Sequence, residues 1–61
     1  FSIYAQKLLG ELFDAYTKQP DEMRPWYQAW AVEVGTVRAA CDYIAGMTDR
    51  FAESEHARLT Q

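Results

Sequence analysis

The sequence predicts a small all-α segment of antiparallel helices, with two main helices and one or two short ones, that forms part of a larger protein. Apolar residues recur at three- and four-residue spacing in two long stretches, which is typical of amphipathic helices. Pro20 and Pro25 separate these stretches, and no stretch has the alternating pattern of a strand. With 49% hydrophobic residues the chain is expected to be ordered. Because it begins at Phe1, inside a helical pattern, we expect a segment of a longer protein.

The first predicted helix covers residues 2–18. Ser2 is placed to cap its first turn through the side-chain hydroxyl. Glycine weakens a helix relative to alanine, so we expect either a close-packed neighbour or a locally weak helix at Gly10. Pro20 disfavours helix in the residue before it and ends the helix near Lys18. The buried side is predicted from the apolar spacing and consists of Ala5, Leu8, Leu9, Leu12, Phe13 and Tyr16.

A polar connector between Pro20 and Pro25 predicts a turn. Beyond it, large apolar residues four positions apart predict a short helix over residues 26–33 that begins at or near Pro25. We expect Gly35 to separate this helix from the next one. The alternative is a single helix that continues through Gly35. The residues that set the four-residue spacing are Trp26, Trp30 and Val34.

The next stretch predicts a helix over residues 36–52, because apolar residues again recur every three or four positions. Ser54 lies between two glutamates and is placed to cap a last short helix that ends near Leu59. The alternative is that this end of the chain frays. The apolar stripe of the predicted helix consists of Val34, Val37, Cys41, Ile44, Met47 and Phe51.

The charge balance argues against a nucleic-acid-binding arm. The formal net charge is −3 and the pI is about 4.8, and the Lys and Arg residues are scattered rather than clustered. The single cysteine, Cys41, cannot form an internal disulfide. No apolar run approaches the ~20 residues that span a bilayer as a helix. We therefore expect a soluble cytoplasmic protein with no membrane partner.

A specific motif lies near the end of the chain. Residues 41–52 read Cys-Asp-Tyr-Ile-Ala-Gly-Met-Thr-Asp-Arg-Phe-Ala. Residues 42–49 closely resemble the C-terminal signature of dGTPase-like deoxynucleoside-triphosphate triphosphohydrolases, which belong to the HD-domain phosphohydrolase superfamily. The flanking pattern agrees, because Leu-Phe-x-x-Tyr at residues 12–16 precedes the signature and His-x-x-Leu at residues 56–59 follows it. The resemblance extends over nearly the whole chain.

The resemblance implies a helical enzyme that removes the intact triphosphate from a deoxynucleoside triphosphate, usually as a homo-oligomer. It also implies a divalent metal, Mg or Mn, held by a His, a His-Asp pair and a distant Asp. The only histidine here is His56, and it has no adjacent aspartate. Residues 1–61 are therefore expected to be a C-terminal helical segment that is not catalytic and holds no cofactor. The catalytic HD domain, its first partner, would lie upstream of Phe1.

Five residues of the signature are candidates for nucleotide binding or for docking onto the catalytic domain: Asp42, Tyr43, Thr48, Asp49 and Arg50. On one continuous helix, Asp42 and Asp49 would share a side with Ala45 and Gly46, whose small size admits a neighbouring backbone. The alternative is that all five residues only fix tertiary packing. We weigh packing above ligand contact.

Other side chains have simpler expected roles. Cys41 lies on the apolar stripe and is expected to be buried and inert. Arg50 is expected to pair with Glu53, and Arg38 with Asp42 along the helix. His56 is expected to be solvated. The aromatic cluster is expected to supply core or interface anchors rather than a stacking platform for a purine; it consists of Trp26, Tyr27 and Trp30.

The alternative function is a free-standing helical module that binds a partner helix in an apolar groove and has no catalysis. Either function leaves apolar faces that a partner would cover. The sequence thus predicts self-association of the isolated segment. The residues expected to mediate it are Leu8, Leu12, Phe13, Val37, Ile44 and Phe51.

Overall fold

Residues 2–61 are described by a computed structural model, and they form helices joined by short connectors without any strand. The helices are α1 (Ile3–Lys18), α2 (Pro25–Val34), α3 (Thr36–Ala45) and α4 (Asp49–Leu59). A 3₁₀ turn at Pro20–Glu22 follows α1. The predicted all-α fold class is confirmed.

Helix α1 follows its sequence signals closely. The Ser2 hydroxyl accepts a hydrogen bond from the backbone N–H of Ala5 at 3.0 Å, which satisfies one free donor of the first turn. The helix ends at Lys18, because Pro20 restricts the residue before it to extended backbone. At Gly10 an added Cβ would meet no atom within 4 Å. The expected close-packed neighbour of Gly10 is therefore absent within residues 2–61.

The boundary between α2 and α3 depends on Gly35. This residue has φ +93° and ψ 153°, a combination that is essentially restricted to glycine. Its N–H still donates to the Ala31 carbonyl at 2.9 Å, so α2 is closed before the chain turns into α3. The predicted short helix after Pro25 is confirmed. The alternative of one helix continuing through Gly35 is wrong.

The predicted single helix over residues 36–52 is also wrong. Helix α3 ends at Ala45, and Thr48 is extended, with φ −75° and ψ 159°. The Thr48 hydroxyl accepts a hydrogen bond from the backbone N–H of Phe51 at 3.1 Å and so begins a new helix. Ser54, predicted as a cap, lies exposed in the middle of α4. The apolar spacing misled the prediction because residues on both sides of the break pack on one core.

The core lies where α1 meets α3 and α4. Leu12 and Tyr16 are completely buried, and Tyr16 packs edge-on against Tyr43 with ring centroids 5.0 Å apart. Small residues of α3 and α4 let the helices approach closely around these large side chains. The remaining buried apolar residues are Leu8, Met23, Ala39, Ala40 and Ala52.

A hydrogen-bond network around the buried carboxylate of Glu55 joins distant parts of the chain. The Tyr16 hydroxyl donates to the Glu55 carboxylate at 2.7 Å, and the Arg58 guanidinium donates to Glu55 at 2.9 and 3.0 Å. Arg58 also donates to the Glu22 carboxylate at 2.8 Å. The Arg58 hydrogen bonds hold the pKa of Glu55 below its ordinary value, and burial raises the pKa of Tyr16. The network therefore ties α1, the 3₁₀ turn and α4 together.

Replacement of Gly35 should destabilise the chain. Gly35→Ala forces a side chain into the glycine-only backbone region, and we expect the free energy of unfolding to fall by about 1–3 kcal/mol. Urea denaturation followed by circular dichroism measures this. Gly46→Ala is the matched control, because Gly46 has ordinary helical angles and an added Cβ meets its neighbours at 3.8 Å or more. Equal effects of the two substitutions would contradict the assignment.

The buried network should make stability depend on acid pH. Because the pKa of Glu55 is lower in the folded state than its ordinary 4.5, its contribution is present above pH 4.5 and is lost as the pH falls through the folded-state value. We expect Glu55→Gln to lower the melting temperature at pH 7 and to flatten its fall in acid. Glu33→Gln, at an exposed position of α2, is the control and should keep the acid dependence. A Glu55→Gln profile parallel to that of the unsubstituted protein would refute this role.

Candidate functional site

The signature residues do not lie on one helix. Asp42 and Tyr43 belong to the last turn of α3, whereas Thr48, Asp49 and Arg50 begin α4. The expected shared side of Asp42, Ala45, Gly46 and Asp49 is therefore wrong, because it required an unbroken helix. The break instead turns the two aspartates toward different surroundings.

Asp42 holds α3 against α2. Its carboxylate accepts a hydrogen bond from the indole N–H of Trp30 at 2.7 Å and from the Arg38 guanidinium at 3.1 and 3.2 Å. The Trp30 bond, followed by the Arg38 bond, holds the pKa of Asp42 below its ordinary value. The predicted Arg38 pair is confirmed, but the Trp30 donor was not anticipated. With these partners Asp42 acts as a tie between helices.

Tyr43 is part of the core. Only 6% of it is exposed, and its ring contacts Tyr16, Tyr27 and Phe51 with centroids 5.0, 4.7 and 6.4 Å away. Burial raises the pKa of its hydroxyl. The contacts with Tyr16 and Phe51 are edge-on, and such aromatic contacts add to the free energy gained by burial alone. Tyr43 therefore joins four elements of structure through its ring.

Thr48 and Asp49 supply the start of α4. Thr48 caps the helix, and the exposed carboxylate of Asp49 lies in the first turn, where the helix dipole favours a negative charge. Arg50 follows and is also exposed. No ion pair joins Asp49 or Arg50 to any other of residues 2–61, so the expected Arg50–Glu53 pair is not formed. These two side chains are the signature's outward-facing charges.

An open groove of about 280 Å³ lies beside the break. The guanidinium of Arg24 stands 4.9 Å from the centre of the Phe51 ring, a cation–π distance, on one side of this groove. Sequence reasoning missed Arg24, because its approach to α4 depends on how the connector folds back. The groove is lined by Arg24, Tyr27, Tyr43, Gly46, Met47, Thr48 and Phe51.

Several other expectations need correction. Cys41 is exposed rather than buried, because α3 turns that side of its apolar stripe outward. His56 is not solvated: it is partly buried, and its Nε2 lies 2.5 Å from the Glu11 carboxylate. Of the aromatic cluster, Tyr27 and Trp30 pack against the core as expected, whereas Trp26 stacks on Trp30 with centroids 5.7 Å apart and stays 64% exposed, which leaves it only the interface role.

The predicted self-association surface is not continuous. Leu8 is 8% exposed and Leu12 is fully buried, so neither can reach a second chain. Phe51 packs toward Tyr43 and Arg24. The members of the set that keep exposed surface lie on three helices: Phe13 on α1, Val37 and Ile44 on α3, and Phe51 on α4. The set as predicted is wrong.

Comparison with known proteins places the chain in a family. The family profile described as "Phosphohydrolase-associated domain" matches residues 2–58, which is nearly the whole chain. The chain belongs to this family. No solved structure matches this phosphohydrolase-associated domain.

Similar curated proteins are much longer than the domain. A protein from Deinococcus deserti is 48% identical over 92% of the chain, and one from Parvibaculum lavamentivorans is 47% identical over 90%. A third, from Geobacter sulfurreducens, is 46% identical over 93%. All three are named "Deoxyguanosinetriphosphate triphosphohydrolase-like protein". The chain spans about 15% of the length of these relatives.

Among residues 2–61, no three His, Cys, Asp or Glu side chains come together in a group that could hold a metal ion. Within the same residues, every helix is too short or too polar to cross a bilayer.

The structural role of Thr48 as a helix cap can be tested by its effect on stability. Thr48→Ala removes the acceptor for the Phe51 N–H, and we expect the free energy of unfolding to fall by about 1 kcal/mol. Thr48→Ser keeps a hydroxyl acceptor and should restore most of that loss in a urea denaturation series. A Thr48→Ala chain as stable as the unsubstituted one would show that the cap contributes nothing.

Proposed function

We propose that this chain is the C-terminal helical segment of a dGTPase-like deoxynucleoside-triphosphate triphosphohydrolase and that its role there is structural. The observation that carries this proposal is the near-complete match to three such proteins. At least 90% of the chain aligns with each relative at 46–48% identity. The aligned segment covers 15% of the relative's length. A match to a small part of longer proteins favours a segment of such a protein over a free-standing module.

The proposed parent enzyme releases the intact triphosphate from a dGTP-like nucleotide and leaves the deoxynucleoside. A divalent metal, Mg or Mn, would polarise the phosphate and activate water. Since residues 2–61 bring no metal-binding group together, they do not fit that ion. We therefore assign the metal to an HD domain in the remainder of the polypeptide, and assign no catalytic step to this chain. We further propose a cytoplasmic homo-oligomer.

Within this enzyme the signature residues divide into two groups. Asp42, Tyr43 and Thr48 fix how α2, α3 and α4 meet, because each makes its contacts inside the chain. Asp49 and Arg50 project from the start of α4 and make no ion pair with residues 2–61. We assign these two to the contact with the catalytic domain, where a guanidinium also suits nucleotide phosphate.

The parent activity is tested with the complete gene. We expect the purified protein to release inorganic triphosphate from at least one of the four deoxynucleoside triphosphates when Mg or Mn is present. Product analysis by ion-exchange chromatography separates triphosphate from pyrophosphate and phosphate. Release of only the shorter products, or of none, would contradict the proposal.

Arg50 gives a second test in the same protein. We expect Arg50→Ala to keep the helical content measured by circular dichroism, and to raise the KM for nucleotide or to weaken contact with the catalytic domain. Lys7→Ala, which removes an exposed positive charge from α1, is the matched control and should change neither. An Arg50→Ala enzyme that matches the Lys7→Ala enzyme in KM and melting temperature would remove Arg50 from the site.

A further inference from the structure

An apolar groove runs between α1 and α3. It has a volume of about 380 Å³ and contains no charged residue. Its floor and walls are Leu9, Gly10, Phe13, Cys41, Ile44 and Ala45. Val37, one turn before Cys41 on the same helix, stays 60% exposed. Water therefore covers an apolar surface that spans two helices.

Small residues shape this groove. Gly10 is exposed, and an added Cβ would meet nothing within 4 Å, so packing inside the chain gives no reason for a glycine there. Alanine would make a more stable helix at such a position. Cys41 and Ala45 are also exposed and small. Together these three residues leave room for another helix to approach the backbones of α1 and α3.

Leu9 and Ile44 also line a second, adjoining depression of about 320 Å³ that reaches α4. Its far end is acidic, because Asp49 and Glu53 line it. Glu53 accepts a hydrogen bond from the Tyr4 hydroxyl at 2.9 Å, whereas Asp49 has no ion pair with residues 2–61. The surface is thus apolar along its length and negative at one end.

We propose that this combined groove holds one amphipathic helix from the remainder of the same polypeptide, with an apolar ridge along α1 and α3 and a Lys or Arg beside Asp49. This inference rests on the proposed function, since it takes the longer parent protein as the source of the helix. About 85% of the relatives' length lies outside the matched segment, by difference from the 15% that the chain covers. Permanent protein contacts are typically more apolar and depleted of charged residues, and the walls between α1 and α3 contain no charged residue.

The shape argues against a second copy of this segment as the occupant. In a two-fold dimer the same patch meets itself, and two concave grooves facing each other would enclose a void. A void loses the close contacts that stabilise an apolar interface. A single convex helix fills the groove without this loss.

Cys41 reports on the groove in the full-length protein without any substitution. Its thiol is exposed on the segment but would be covered by the docked helix. We expect iodoacetamide to alkylate Cys41 at least about tenfold more slowly in the native protein than in urea, measured by peptide mass spectrometry. Equal rates would overturn the proposal. Protection that disappears on dilution to single chains would overturn it too, because the cover would then be a second copy.

A pair of matched substitutions tests the same surface. Ala45 lies in the groove, whereas Ala57 is exposed on α4 and lines neither depression. In the full-length protein we expect Ala45→Leu to lower the melting temperature by several degrees through overpacking, and Ala57→Leu to leave it unchanged. Equal melting temperatures would count against a covered groove.

Triphosphate release and Cys41 alkylation, measured on one preparation, distinguish failure of the enzyme proposal from failure of the docked-helix proposal. Triphosphate release together with full Cys41 reactivity refutes the docked helix and leaves the enzyme proposal standing. Cys41 protection without triphosphate release refutes the enzyme proposal and supports the docked helix.

Discussion

The hydrogen bond from the Tyr16 hydroxyl to the Glu55 carboxylate is the interaction on which the rest of the fold depends. It joins residues 39 positions apart and lies within the core. A carboxylate that is 9% exposed has lost most of its hydration, and the donors of Tyr16 and Arg58 offset that cost. The hydration lost by Glu55 is offset only when Tyr16 and Arg58 are both in place. The geometry therefore couples the first helix, the turn after it and the last helix into one unit.

The break after Ala45 gives the signature its physical meaning. The chain turns between Gly46 and Thr48, and this sets the angle at which α4 reaches back across α1. Asp42 can then bond to Trp30 while Asp49 faces outward, a division that an unbroken helix would prevent. Residues 42–48 are thus used mainly to hold the helices together. Of the signature's charged residues, only Asp49 and Arg50 make no ion pair within residues 2–61 and so remain free to contact a partner.

Features of the fold that depend on neighbouring residues in the sequence could be predicted, whereas features that depend on contacts between distant helices could not. The ends of α1 follow from Ser2 and Pro20, and the start of α3 follows from Gly35, because each acts through its own backbone. The start of α4 was missed, although a threonine followed by an aspartate is a helix-start pattern, because apolar spacing continued across it. The exposure of Cys41 and the Glu11 partner of His56 depend on how distant helices pack. No spacing within one helix encodes that.

The size of the chain explains why the uncovered groove matters. A chain of 61 residues buries only about 60% of the surface that its unfolded form exposes, so its core is thin. Among residues 2–61, three of the eight buried apolar residues are alanines, which contribute little area. Trp26 and Val32 are exposed on α2, on a different helix from the walls of the groove. The depressions beside Val32 and Trp26 are lined in part by Asp21 and Glu33, whereas no charged residue lines the groove between α1 and α3. A docked helix would therefore add more apolar contact there than at the tryptophans.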